Sequence, residues 1–514
     1  MEPATTTRHR ARRHDTEARR VSVHQLPWRL VTNPYPPIQP LSADQIESIH
    51  IASLKILKEI GMKVLLPEAR KILRQAGADV DEASQVVKFE SGLVQQALTT
   101  VPAKFTLHAR NPARNIVMGG NHVNFGTVGG PPYAHDLERG RRTGTLADFT
   151  ELVKLAQALN IVHFMAGSAP EPQDVPVPIR HMVMARTLLG YSDKIPFGST
   201  ITQARIEDVF ELVRMARGVS REQMLREPSY YSVINTNSPM QLDGAMAWGV
   251  IGFAERNQAL CITPFTLLGA MAPVTIAGAI AQQNAEALAA ITLSQIVRPG
   301  APLIYGGFTS NVDMRSGAPA FGTPEYIKAC LIGGQMARRY NMPYRSSNTN
   351  ASVWPDAQAT YEGAMSIWGA LMGGTNMLLH GVGWLEGGLV ASYEKYIIDA
   401  EMLQTMAEFF TPTIVDDATL AIDAIREAGH GGHFFGVQHT IERYETAFYT
   451  PLLSDWRNFQ QWEAAGSVDA THRATKIWKQ LLADYEEPKL DPAIAEEMDA
   501  YIERRTREGG APYV

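Results

Sequence analysis

The chain has 514 residues, 45% hydrophobic and 19% charged, with a formal net charge of -6 and a pI near 6.2. That length builds a large core in one to three domains, and the acidic balance excludes the basic footprint of a nucleic-acid binder. The two cysteines, Cys261 and Cys330, stand in apolar surroundings and read as buried reduced thiols of a cytoplasmic protein, not as a disulfide framework.

Residues 1–39 read as a disordered basic tail. The first twenty carry six arginines and no apolar run, so no secretory signal is expected. Ser42, with Gln45 three residues on, is a capping box that opens a helix ending near Gly61. Further helices are predicted over 67–75 and 91–99. The alternating runs 104–109 and 115–118 predict a hairpin, followed by a strand at 122–125 and a polar ribbon over 133–142. Residues 40–150 thus form an N-terminal α+β extension.

From 151 to about 440 the rhythm changes. Apolar runs ending in Gly, Ser, Thr or Asn start near Ile161, Lys194, Tyr230, Ala259, Pro302, Met342 and Asn376. Helical segments lie between them, as over 206–217, 243–257, 277–297 and 323–340. Thr323-Pro324 opens the last, with proline at the first helical position. Strands and helices alternating at this spacing predict a parallel sheet, and seven or eight units predict closure into a (β/α)8 TIM-type barrel. The eighth strand is either 122–125 or 433–437. The long uncharged stretches 257–285 and 363–385 are interrupted by Pro264, Pro273, Gly373 and Gly374, and read as buried strand and helix, not membrane spans. Helices are predicted over 393–410, 418–429, 470–485 and 492–505, with 441–514 a C-terminal helical extension.

Within the barrel, the stretch from Met342 to Leu389 reads as strand, loop, helix, strand. Its loops carry Asn348, Asn350, Asp356, His380, Trp384 and Glu386, at the strand ends where a barrel places its chemistry. Aromatic residues gather at the same ends: Phe125, Tyr133, Phe164, Phe197, Phe265, Tyr305, Phe308, Tyr344, Trp354 and Trp384. Together they permit an aromatic box for a quaternary ammonium, worth roughly 0.5–2 kcal/mol per ring. Glu386, Asp356 or Asp313 would add a counter-charge; Arg345, Asn348 or Asn350 would receive a carboxylate. Other chemistries lack their patterns. Glu386 stands where a dinucleotide fingerprint needs its third glycine, and no Walker A, G-x-S-x-G or H-E-x-x-H sequence occurs. His430, His433 and His439 are the best metal-ligand candidates, against a loop packed on Phe434 and Phe435 with its histidines bonded to backbone.

Five separated segments, 301–326 (APLIYGGFTSNVDMRSGAPAFGTPEY), 355–359 (PDAQA), 383–388 (GWLEGG), 429–440 (GHGGHFFGVQHT) and 462–466 (WEAAG), resemble the trimethylamine methyltransferase family in the same order. The resemblance runs from about residue 40 to near the end. It implies a (β/α)8 barrel that moves a methyl group from a methylated amine to the Co(I) centre of a separate corrinoid protein. The trimethylamine enzymes carry pyrrolysine after the sixth strand. Here the loop 345–353 holds only standard residues, so the resemblance is to the non-pyrrolysine branch, some of whose members demethylate quaternary amines such as glycine betaine.

A quaternary ammonium leaves as a neutral amine, so displacement needs no covalent activator, only position and exclusion of water. The chain has no D-x-H-x-x-G corrinoid-binding pattern. Cobalamin is therefore expected on a partner corrinoid protein, with no cofactor held tightly by this chain and no metal site. The residues expected to hold the cation are Tyr133, Phe265, Tyr305 and Trp384. Asn348, Asn350 and His380 are expected at the carboxylate end, and Glu386 is expected as electrostatic support; of these, Glu386 and His380 are the catalytic pair. A homo-oligomer is expected. The rival readings are a barrel that binds betaines or a corrinoid protein without turnover, and a metal-dependent barrel hydrolase using the three histidines.

Overall fold

Six strands lie side by side in parallel, most of them rich in β-branched, aromatic and other apolar residues: β1 (His122–Thr127), β2 (Tyr231–Ile234), β3 (Ala259–Ile262), β4 (Leu303–Gly306), the more polar β5 (Tyr344–Ser347) and β6 (Met377–Val382). The computed structural model describes residues 23–512, so the arginine-rich start of the predicted tail lies outside the described residues. The order across the sheet is β1-β6-β5-β4-β3-β2, with Leu260 opposite Leu303, Tyr305 opposite Tyr344, Arg345 opposite Met377, and Leu378 opposite Phe125. Val31–Thr32 pairs antiparallel with the amino half of β1. Past β1 the parallel contacts continue as single bridges, Gly126 to Phe164, Phe164 to Ile195, and Phe197 to Tyr231 of β2. Pro196 has no N–H to give a ladder there.

Five helices follow β2 to β6 in turn: α1 (Gly244–Glu255), α2 (Ile276–Val297), α3 (Pro324–Arg339), α4 (Ala357–Met372) and α5 (Tyr393–Phe409). Their starts are written in the sequence. Asp243, Thr323, Asp356 and Ser392 each accept the third backbone N–H of the helix they open. Asp356 is thus a cap, and Asp313 closes a turn on Ser316 and Arg315; neither supplies a counter-charge to a site. α2 is buried along almost its whole length, which is why its composition is apolar all round. The predicted capping box at Ser42 and Gln45 and the hairpin Lys104–Leu107 with Ile116–Gly119 are both present. Of the two candidates for a further strand, His122–Thr127 is in the parallel sheet; 433–437 is turn. Both cysteines are buried and free, and burial pushes each thiol up to about 11, so neither is reactive. No helix of the described residues is long and apolar enough to cross a membrane.

Two buried histidines set an acid limit on this core. His163 Nδ1 accepts from Phe125 N at 3.0 Å and its Nε2 donates to the Arg29 carbonyl at 2.9 Å. His50 Nδ1 lies 2.8 Å from the Tyr340 hydroxyl. Burial pushes both down to about 4. Both stay neutral in the fold while the unfolded chain protonates near 6.5. Stability is therefore full above about pH 6.5 and falls as the pH drops from there to about 4, by up to roughly 3 kcal/mol per histidine. Thermal melts across that range should show the loss, and His163→Asn should roughly halve it, leaving the part due to His50.

Candidate active site

The carboxyl ends of the parallel strands surround a cavity of about 360 Å³, at the lower end of small-molecule sites. Every segment of the sheet and of its bridged continuation contributes to the lining: Gly129 after β1, Gly167 beyond Phe164, Phe197, Asn235 after β2, Phe265 after β3, Phe308 after β4, Arg345 on β5 and His380 on β6.

One wall is aromatic. Phe308 is its centre, with ring centroids 5.1 Å from Phe265, 5.7 Å from Phe321 and 5.9 Å from Trp384. Trp384 stands 4.4 Å from the His380 ring. The other wall is polar and holds no carboxylate. Arg345 is 2% exposed, and its guanidinium carbon lies 5.1 Å from the Phe308 centroid. Its Nη1 reaches the Gly307 carbonyl at only 3.5 Å and its Nε has no partner. Among the described residues it forms no ion pair with a carboxylate. An unpaired buried cation costs several kcal/mol.

His380 sharpens the point. It sits where the pairing of β6 with β1 shifts register, in the left-handed region at φ +58°, and such a bulge re-aims a side chain. Gly129 N lies 3.2 Å from Nδ1 and, as a backbone N–H, only donates. Nδ1 is therefore the acceptor and Nε2 carries the proton. Arg345 Nη2, also a donor only, stands 3.2 Å from that Nε2. Two donors face each other with no acceptor between them. Burial, with the Arg345 charge alongside, holds the imidazole well below its ordinary pKa, so it stays neutral.

Of the residues predicted for the site, Phe265, Trp384 and His380 line the cavity. The others lie around it. Tyr305 is buried in the opposite direction, its hydroxyl 2.9 Å from Asn284 of α2. Tyr133 already carries a cation, the Arg141 guanidinium 3.7 Å from its ring centroid. Glu386 is neutralised by that same Arg141, at 2.8 and 3.1 Å. Asn348 donates to the Gly381 carbonyl at 3.1 Å, and Asn350 exchanges two bonds with Trp384, at 2.7 and 3.1 Å. Asn348 and Asn350 thus tie down the backbone next to His380 and at Trp384. Since the Arg141–Glu386 pair is half open to solvent, Glu386→Gln should change kcat/KM less than tenfold, as steady-state kinetics would show. His430 and His433 are exposed, and no three metal-ligating side chains cluster among the described residues.

Arg345, Phe308 and Phe321 are among the cavity residues not named for the site from sequence. Phe308 was visible as a strand-end aromatic and Arg345 as a carboxylate receptor. Their direction was not.

Five glycines, Gly129, Gly130, Gly167, Gly387 and Gly388, also line the cavity. A Cβ on Gly388, at φ +95°, would meet the Trp384 ring at 2.5 Å, and one on Gly167 would meet Phe197 at 3.1 Å. These two glycines thus make room for the cavity's own aromatic rings, Trp384 and Phe197.

The sequence profile described as trimethylamine methyltransferase matches residues 6–510. A glycine betaine methyltransferase of Desulfitobacterium hafniense is 36% identical over 471 residues, 91% of this chain and 98% of that protein. A trimethylamine methyltransferase of the same species is 28% identical, covering 91% and 94%. The monomethylamine methyltransferase structure from Methanosarcina barkeri superposes with a TM-score of 0.52 at 11% identity, over 88% of this chain and 90% of that one, a likeness of α/β fold alone.

Proposed function

The chain belongs to the trimethylamine methyltransferase family, and we propose that it is a methyltransferase demethylating a betaine-like quaternary amine, with a separate corrinoid protein as acceptor. The observation that carries the substrate is the facing donor pair of Arg345 and His380 beneath the aromatic wall. A zwitterion fits both ends. Its carboxylate accepts from Arg345 Nη2 and His380 Nε2, and its ammonium methyls rest on Phe308, Phe265 and Trp384. Trimethylamine has no group for the donors. A bare cation would meet Arg345 with no carboxylate in the cavity to offset it.

The sheet, with its single bridges at Phe164, Ile195 and Phe197, is read here as an eight-stranded ring closing from β1 back to β2. On that reading the barrel begins at His122, inside the extension of residues 40–150, and the helices from 441 onward pack outside it. The fold's open end is then the carboxyl end of the strands, where the corrinoid protein would dock. When bound, that group supplies Co(I) as the nucleophile. The residues of this chain position the amine. The aromatic wall fixes the nitrogen, the donor pair fixes the carboxylate, and one N-methyl is left directed toward the fold's open end. The departing amine is neutral, so no acid is needed at nitrogen, consistent with a neutral His380 that donates only to the carboxylate. A strongly reducing acceptor places the reaction in the cytoplasm.

A cob(I)alamin methylation assay tests this. Glycine betaine or a longer-chain betaine should be demethylated in preference to choline, and choline in preference to trimethylamine. No methylation with any betaine, or a preference for trimethylamine, would overturn the reading.

A further inference from the structure

The chain leaves α5 at Phe410 and returns at Leu452 and Leu453, whose N–H groups bond Glu401 of the same helix at 2.7 and 2.8 Å. Between these points, over residues 411–450, only Ala424 and Val437 are buried. The excursion is nevertheless apolar. Val415, Ile422, Phe435, Ile441, Tyr444 and Phe448 are each half or more exposed, Phe435 at 88% and Phe448 at 82%. At about 150–250 Å² per large side chain, the arm leaves roughly 1,000 Å² of apolar surface in water. The largest patch on an ordinary monomer is about 300–600 Å², and a stable interface covers about 800 Å² per partner. Its helices have four or seven residues, too few to hold alone.

A second unpartnered face lies beside the arm's root. Tyr361, Met365 and Trp368 form an exposed stripe along α4, at spacings of four and three that put them on one side of the helix, and α4 packs next to α5.

We propose that the arm of one copy lies across the α4 stripe of a second copy, and reciprocally, in a two-fold exchange. An arm and its receiving surface carried on one chain satisfy the self-complementarity that a two-fold interface requires. The occupant is a permanent one, because a partner that docks and leaves at each turnover would expose this surface every cycle. The inference does not depend on the substrate assignment.

Sedimentation of the full chain at micromolar concentration should give a dimer, or a larger assembly built from dimers. Phe435→Glu with Phe448→Glu should weaken self-association about a hundredfold or more. Because Cys261 and Cys330 are buried, F435C combined with M365C should form a disulfide between chains, and neither substitution alone should. A wild-type monomer at tens of micromolar would overturn the proposal. So would a disulfide formed within one chain, or dimers unaffected by the glutamates and unlinked by the cysteines.

Discussion

Arg345→Met should abolish most turnover of betaines while leaving the fold as stable as before, or more so. The two halves have separate causes. In the folded protein Arg345 is buried with no carboxylate partner and with Nε unbonded. Replacing it by an apolar side chain of similar length removes an uncompensated charge, a change that is neutral or stabilising. In the proposed complex, Arg345 is one of two donors to the substrate carboxylate. Losing one side of a buried charged contact costs about 2–5 kcal/mol, so kcat/KM for glycine betaine should fall roughly thirty- to several-thousandfold. Choline tests the assignment because it keeps the ammonium and lacks the carboxylate. Its turnover should hold or rise in R345M, since the variant no longer sets a cation against it. An equal loss on both substrates, or a drop in Tm, would show that Arg345 serves the fold instead.

The same pair bears on what a sequence makes legible. The alternation of apolar runs with helical segments located β2 to β6 and their connecting helices, because strand and helix periods differ and the caps are local. The cavity lies at the ends of those strands. The facing of individual side chains was not readable. Tyr305 and Phe308 are three residues apart, yet Tyr305 lies within β4 and bonds outward to α2, while Phe308 follows the Gly306-Gly307 break and faces the cavity. On β5, Tyr344 reaches outward to the Cys330 carbonyl of α3 and its neighbour Arg345 points inward, so one register decides which is core and which is site.

The polar loop is harder to read for a different reason. A buried loop must satisfy its backbone groups, and the side-chain N–H groups of Asn348 and Asn350 donate to the Gly381 and Trp384 carbonyls, while their side-chain oxygens have no partner. Nothing local distinguishes an asparagine that meets a ligand from one that meets a carbonyl across the fold. Tyr133 was more accessible. In the predicted ribbon, Tyr133 pairs with Thr143 and His135 with Arg141. That places Arg141 diagonally across from Tyr133 on the same face, within reach of its ring.

Asp399→Asn should cost about 3–5 kcal/mol and lower Tm by about 5 °C or more. Asp399 and Lys395 form a fully buried ion pair on α5. The other carboxylate oxygen accepts the Gly383 N–H at 2.9 Å. Gly383, at φ +93°, runs so close to Tyr396 that a Cβ would lie 2.1 Å from its ring, so only glycine lets the chain turn there and deliver Trp384 to the cavity. Asp399 thus does two separable things. It neutralises Lys395, and it pins the peptide that precedes the aromatic wall. Lys395→Met with Asp399→Leu separates them. Removing both charges restores the packing balance, and Tm should recover most of the loss. The Gly383 N–H stays without an acceptor, so Trp384 is no longer held and kcat/KM should remain at least about fivefold down, as an unmade buried hydrogen bond of about 1–3 kcal/mol implies. Recovery of both stability and turnover in the double variant would mean that the anchor at Gly383 does not position Trp384; loss of both would mean that the pair itself is needed for the fold.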